Sequence, residues 1–330
     1  MVLAIDGTTL LVQDTEDNRS AFGLPGSAQG QAGYPQIRVV AITSTNTHIL
    51  AGAAIGPCRG KGTGELSLAR ELWKQVPNHS VTIMDKIFQH HAQLHTLHST
   101  GTERHWLLRA KKTSQWNVIR ELGHGDNLVE MKINAKDRKE NPELPRTFIC
   151  RAICYRVDGA AEHHWLLTSL TDHDRYPAES VVKVYHARWE IEVGYEEIKT
   201  HMLDREESIR SRTAEKTRQE LWGILLAYNL IRMKMMDVST KCGYPPTRLS
   251  FTHTLRLVRV FCEIHAWVAA PTKLPARIEA LEDMLALLIL PERRSERAYP
   301  RHTKIRMSSY KKNPGRIEVA AIPATQGEKA

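Results

Sequence analysis

The 330-residue sequence has no run of 18 or more apolar residues, which speaks against a membrane-spanning helix. No charged opening segment leads into a long apolar stretch, so a secretory signal is not expected. It lacks any CxxC pair, which argues against a structural zinc site. Five cysteines, at Cys58, Cys150, Cys154, Cys242 and Cys262, are too few and too scattered for a disulfide framework. That odd count fits a reducing, cytoplasmic setting. The Gly-rich stretch Gly56–Gly64 is not closed by GK[ST], so it is not a phosphate-binding loop of that type. No internal repeat is visible.

What is present is an ordinary globular balance, 42% apolar and 25% charged, which excludes global disorder. Acids are outnumbered: 46 Lys and Arg against 37 Asp and Glu leave +9. The excess is concentrated after residue 290, where Arg293, Arg294, Arg297, Arg301, Lys304, Arg306, Lys311 and Lys312 make a basic tail. Such a tail is either an electrostatic footprint for a polyanion or a solvated, idle segment.

Periodicity divides the chain into four parts. Residues 1–112 alternate short β-branched runs (Val2–Ile5, Ile37–Ile42, Ile49–Ile55, Ser80–Met84, Trp106–Arg109) with helical patterns at Glu65–Gln75 and Ile87–Leu97. The first three runs predict an opening meander. Residues 113–170 carry four more β-type runs separated by GHGDN and DRKENPELP, an antiparallel insertion. Residues 171–240 predict helices over about 178–203 and 213–237. The second is apolar over most of its circumference and is expected to be buried. Residues 241–330 predict further helices at 248–265 and 275–289, then the basic tail.

Two acids stand directly after apolar runs: Asp6 in VLAID and Asp85 in VTIMD. At strand ends, carboxylates enter the crevice where α/β folds place ligands, and hard oxygen ligands of this kind suit a divalent cation. Either acid alone is equally a turn former or a helix cap. A third feature is the helical segment holding Tyr185, Arg188, Glu192 and Lys199. On a regular helix their spacings of 3, 4 and 7 place all four within one stripe of about 60°. The stripe sets a carboxylate beside a guanidinium and an ammonium, cations suited to phosphate oxygens. A solvated face with an Arg188–Glu192 ion pair has the same spacing.

The order Y-x2-R-x3-E-x6-K resembles the signature of bacterial insertion-sequence transposases of the DDE class, the insertion-sequence-four family. The flanks YPAESVVKVYHARWEIEVGYEEIK and RQELWGILLAYNLIR are similar too, as are AIDGTTL, NRSAFGLPG, YPQIRVVAI, VTIMDKIF and HWLLRAKK. The resemblance covers roughly residues 1–237. It implies an α/β fold with a ribonuclease-H-like core: a mixed sheet flanked by helices, interrupted by the β insertion and followed by a helical C-terminal region. It implies cut-and-paste transposition: nicking, a hairpin intermediate, then strand transfer. Asp6, Asp85 and Glu192 become the catalytic, metal-holding triad, with two Mg2+ ions and Mn2+ as the alternative. Tyr185, Arg188 and Lys199 become contacts to the DNA backbone. Partners are the double-stranded terminal inverted repeats and target DNA, with a homodimer in the synaptic complex and no membrane.

Two departures from the family pattern stand out. Ile87 in DKIF replaces the small residue usual two places after the second Asp. Met1 stands five residues before Asp6, so the chain is expected to lack the relatives' N-terminal DNA-binding helices. The competing readings are a truncated, inactive remnant that only binds DNA or a relative, and a carboxylate hydrolase of small substrates. Weaker features are His91, His95 and His98 at helical spacing, for metal or for a plain surface; Trp116 and Trp165, for base stacking or for core; and Arg38, Lys111 and Lys112, for the DNA path or for solvent.

Overall fold

The computed structural model describes residues 1–27, 30–31, 33–156, 162–203, 208–268 and 270–291. The basic tail, from Arg293 on, lies outside the described residues. Residues 1–112 supply strand β1 (Val2–Val12), helix α1 (Glu16–Phe22), the two-residue ladder β2 (Gly26–Ser27) and β3 (Gly30–Gln31), β4 (Gln36–Ser44), β5 (Leu50–Pro57), α2 (Glu65–Leu72), β6 (Ser80–Met84), α3 (His91–Ser99) and β7 (Arg104–Arg109). Then follow β8 (Asn117–Gly123), β9 (Asp126–Lys132), α4 (Ala135–Glu140), β10 (Thr147–Arg156) and β11 (His163–Thr168). The rest is α5 (Ala178–His186), α6 (Trp189–Glu196), a π-helical segment Glu197–Met202, β12 (Ser208–Ile209), α7 (Ala214–Cys242), α8 (Phe251–Val268) and α9 (Leu274–Ala286).

The expected α/β layout, a large mixed sheet flanked by helices and followed by a helical C-terminal region, is present. One sheet runs β5-β4-β1-β6-β7-β11-β10-β9-β8. Its first three strands form the antiparallel meander, and β6 and β7 then run parallel to β1. The antiparallel strands of residues 113–170 continue this same sheet, because β11 pairs with β7. A buried bidentate pair, Arg151 with Asp126, ties β10 to β9, and Arg151 also donates to the Tyr176 carbonyl at 2.6 Å.

Strand side chains alternate between faces. On one face, Leu3 and Ile5 of β1 join Leu68 and Leu72 of α2 and Leu94 and Leu97 of α3 in a buried core. On the other, Ala4 and Ala41 meet Ile191 and Tyr195 of α6, and Ile83 and Leu107 meet Val181 and Tyr185 of α5. Leu10, Val12 and Ile37 lie under α7.

Three expectations are corrected. β1 does not end at the acid. Thr8 to Leu11 keep pairing with β4, and Leu11 and Val12 pair with β12; that pairing overrides the local breaker Gly7. The helix expected over 178–203 is three pieces: α5, a turn at Ala187 and Arg188, then α6 passing into the π segment. Finally, α7 is buried on one face only. Leu221, Leu225, Tyr228 and Met235 face the core, while Trp222, Leu226, Leu230 and Met233 remain exposed.

Candidate active site

Register places the two aspartates. Ile5 of β1 is level with Met84 of β6, so Asp6 and Asp85 are the next pair on these adjacent parallel strands. β6 stops at Met84 while β1 continues, so Asp6 stands where its neighbour ends. Asp6 shares the sheet face of Ala4, the face covered by α6.

The third acid arrives on α6. Arg188 Nη1 lies 2.9 Å from Glu192 Oε1 and 3.5 Å from Asp6 Oδ2. One guanidinium nitrogen therefore bridges the two carboxylates, whose separation is capped by the sum of those distances. The break before α6 puts Arg188 at the start of that helix, one turn ahead of Glu192. Tyr195, one turn beyond Glu192, is buried and anchors α6 to the sheet. Its hydroxyl donates to the Asp6 carbonyl at 2.8 Å and accepts from the Ala41 amide at 3.1 Å.

The electrostatics are those of a site prepared for positive charge. Burial pushes the Asp6 carboxyl up to about 6, and Glu65 and Glu192 add to that. The Gly7 amide, which donates to Oδ1 at 2.8 Å, and Arg188 oppose it. Among the described residues, no three of His, Cys, Asp or Glu converge tightly enough to hold a metal ion as they stand. Arg188 accounts for this at Asp6 and Glu192, since its cation lies between them. The donor set, three carboxylates on adjoining elements, is the hard-oxygen chemistry that Mg2+ and Mn2+ take. These residues fit such an ion.

Comparison with known proteins gives the family. The Transposase DDE domain family matches residues 1–230. The transposase InsG for insertion sequence element IS4 of Escherichia coli (strain K12) is 36% identical over 322 residues, 97% of this chain and 71% of that protein. The chain belongs to the DDE transposase family. A putative transposase InsZ of the same organism is 36% identical over 124 residues, 37% of this chain and 40% of its own length. Among solved structures, a piggyBac transposase synaptic complex with hairpin DNA superposes with a TM-score of 0.48 at 12% identity, covering 89% of this chain and 58% of that one.

The remaining signature residues of this DDE transposase chain differ in setting. Tyr185 is buried, packed edge-on against Tyr155 at 6.4 Å between ring centroids. Burial pushes its hydroxyl up to about 12. Lys199 lies on the π segment, where i→i+5 winding turns it away from the direction a regular helix would give. Arg188 also stacks near the exposed Trp189, 5.5 Å from the ring centroid.

The weaker candidates make contacts within the fold. His91 and His98 hydrogen-bond the carbonyls of Lys132 and Arg104, and His95 packs edge-on to Phe148. Arg38 bonds the carbonyls of Thr63 and Cys58, clamping the Gly-rich loop. Lys111 Nζ donates to the Gln89 carbonyl, and Lys112 pairs with Glu162. Trp116 packs edge-on to Trp165 and lines a cavity of about 410 Å³ with Gln89, Lys111 and Lys132.

Sequence reasoning missed three groups. Tyr195 was hidden because a core tyrosine carries no motif. A second group is a buried network of His48, Glu190, Glu197 and Arg232. His48 Nε2 lies 2.7 Å from Glu190, Arg232 Nη2 lies 2.7 Å from His48 Nδ1, and Arg232 pairs with Glu197. It locks α6 to α7 and to the β4–β5 turn. The charged EIEVGYEE run, with Glu190 and Glu197 seven residues apart, was the available signal. The third is Glu65, at the start of α2.

Proposed function

We propose that this chain is a metal-dependent DNA transposase whose phosphoryl-transfer centre is Asp6, Asp85 and Glu192. The supporting observation is the adjacency of Asp6 and Asp85 at the end of β6, with Arg188 joining Asp6 to Glu192. These three carboxylates would hold two divalent ions, Mg2+ or Mn2+. When bound, such a pair activates the attacking water or 3′-hydroxyl and steadies the leaving oxygen of an in-line displacement.

The chain's own residues supply the rest. Tyr195 fixes the Asp6 backbone against α6, so the first and third acids keep a set spacing. The His48–Arg232–Glu197 network fixes the far end of that helical segment. Arg188, released from the acids by competing cations, is placed to take a backbone phosphate of the transposon end in a fork of hydrogen bonds. Lys199, on the π segment, would add a point charge to the DNA backbone, while the buried Tyr185 would reach it only through its hydroxyl edge. The substrates are the double-stranded terminal inverted repeats and target DNA, handled by a homodimer in the cytoplasm. No described helix is long and apolar enough to cross a membrane.

The test compares Glu192→Gln and Asp85→Asn with the unmodified chain on inverted-repeat DNA. Both variants should bind the DNA with near-normal affinity and lose Mg2+-dependent nicking. Cleavage at the unmodified rate by either one would refute the assignment. Binding without cleavage by the unmodified chain would favour a remnant that only binds DNA.

A further inference from the structure

Glu65 belongs to no signature motif, yet the sheet makes room for it. It is the first residue of α2, after the Gly-rich loop. It approaches β1 from the face that carries Leu3 and Ile5, opposite to α6 and Arg188. A β-carbon at Gly7 would lie 2.3 Å from the Glu65 Cγ and Cδ and 2.6 Å from Oε1. Real β-carbons do not approach other atoms so closely, so the carboxylate occupies the space a side chain at position 7 would take. Gly7 is the residue next to Asp6, and β6 has ended at Met84 beside it. On the β6 side, therefore, β1 has no strand partner at Asp6 and Gly7.

Two ordinary explanations fall short. An acid at a helix start is favoured by the helix dipole, but that does not require it to press on Gly7. Arg38 attracts it from a distance, but the two form no ion pair, and the Arg38 terminal nitrogens bond loop carbonyls instead. Among the described residues, the Glu65 carboxylate makes no ion pair or hydrogen bond. Its charge is opposed by burial and by Asp85, with Arg38 in relief. It also acts on Asp6. It is half-buried, so water reaches it.

We propose that Glu65 is a fourth carboxylate of the metal site, holding the hydration shell of a divalent ion bound by Asp6 and Asp85. Mg2+ dehydrates reluctantly and keeps several waters, so an acid just out of direct reach can act through them. Gly7 is glycine because this carboxylate must lie against it. The proposal rests on the triad assignment above.

The experiment titrates Mn2+ alone, and separately Mg2+ alone, into the full 330-residue chain by calorimetry, with nicking and thermal denaturation in EDTA measured in parallel. Glu65→Gln should weaken Mn2+ binding by about tenfold or more, the usual cost of losing a carboxylate behind a metal. Its melting point in EDTA should be unchanged or raised, since a crowded negative charge is gone. Gly7→Ala should weaken binding similarly by displacing Glu65, and the double variant should be no worse than either single one. Mn2+ affinity and nicking by Glu65→Gln within about twofold of the unmodified chain would overturn the proposal. Asp85→Asn separates the two levels. If it loses Mn2+ binding while Glu65→Gln does not, only the role of Glu65 fails. If Asp85→Asn also binds Mn2+ normally, the triad itself fails.

Discussion

Replacing Asp6 by Asn should stabilise the metal-free protein, and the gain should depend on pH in a defined way. The Asp6 carboxyl sits at about 6 in the folded chain against 3.8 ordinarily, chiefly because it is buried. Between those values the folded state holds a proton that the unfolded state has released. Stability therefore falls as pH rises through about 4 to 6 and levels off above. Two pKa units correspond to about 3 kcal/mol. Partial exposure reduces that to about 1–3 kcal/mol at pH 7.5. Asn keeps the shape and an acceptor for the Gly7 amide but carries no charge. Arg188 retains Glu192 as partner. Urea denaturation in EDTA, from pH 4.5 to 8, reads the difference directly. The unmodified chain and Asp6→Asn should be similar at the acid end and diverge in favour of Asn toward neutrality. Added Mg2+ should stabilise the unmodified chain and leave Asp6→Asn where it was. Parallel curves across the pH range would refute the reasoning, because they would mean that the Asp6 charge costs the fold nothing.

Three further outcomes follow from the same contacts. Tyr195→Phe removes the hydroxyl between the Asp6 carbonyl and the Ala41 amide, and should cost about 1–3 kcal/mol in urea denaturation, with slower nicking at saturating DNA. Arg232→Met strands the buried Glu197 carboxylate beside His48, and should cost about 3–5 kcal/mol by the same assay. Arg188→Ala should weaken DNA binding and reduce the salt slope by about one phosphate contact in filter or anisotropy titrations, while metal affinity without DNA rises because the bridging cation is gone.

The strands were legible because apolar runs bounded by turn residues survive translation into pairing. Ser80–Met84 is the same in the sequence pattern and the sheet, and the antiparallel meander follows from three β-branched runs in a row. β1 was read too short because Asp6 and Gly7 look like a strand end. Only the partners of Thr8 to Val12 on β4 and β12, remote in sequence, show that the strand continues. The helix break at Arg188 left no trace in composition: the segment contains no proline or glycine there. Apolar content alone also misled for α7, since Leu226 and Leu230 satisfy the same pattern as the buried Leu221 and Leu225. Tyr195 and Glu65 act through contacts whose partners are more than fifty residues away in sequence, a relation no local spacing encodes.

The broken helix and the bridging arginine belong to one arrangement. A continuous helix over 178–203 would carry Arg188 and Glu192 on a rigid stripe whose angle to the sheet is set by α5 packing against Ile83 and Leu107. With the turn at Ala187 and Arg188, α6 is free of that angle and is set instead by Tyr195 on β1 and β4 and by the buried pairs to α7 and the β4–β5 turn. The acid that must meet Asp6 is thus positioned by the strand that bears Asp6. Arg188 sits at the turn itself, paired to both acids. The same nitrogen that now neutralises two carboxylates is, by type and placement, suited to a phosphate. Metal ions bring more positive charge to the acids than one guanidinium can, and DNA brings the anion that a displaced guanidinium requires. Under the proposed assignment, each binding event would lower the cost of the other, through a single side chain that holds the acids in their absence.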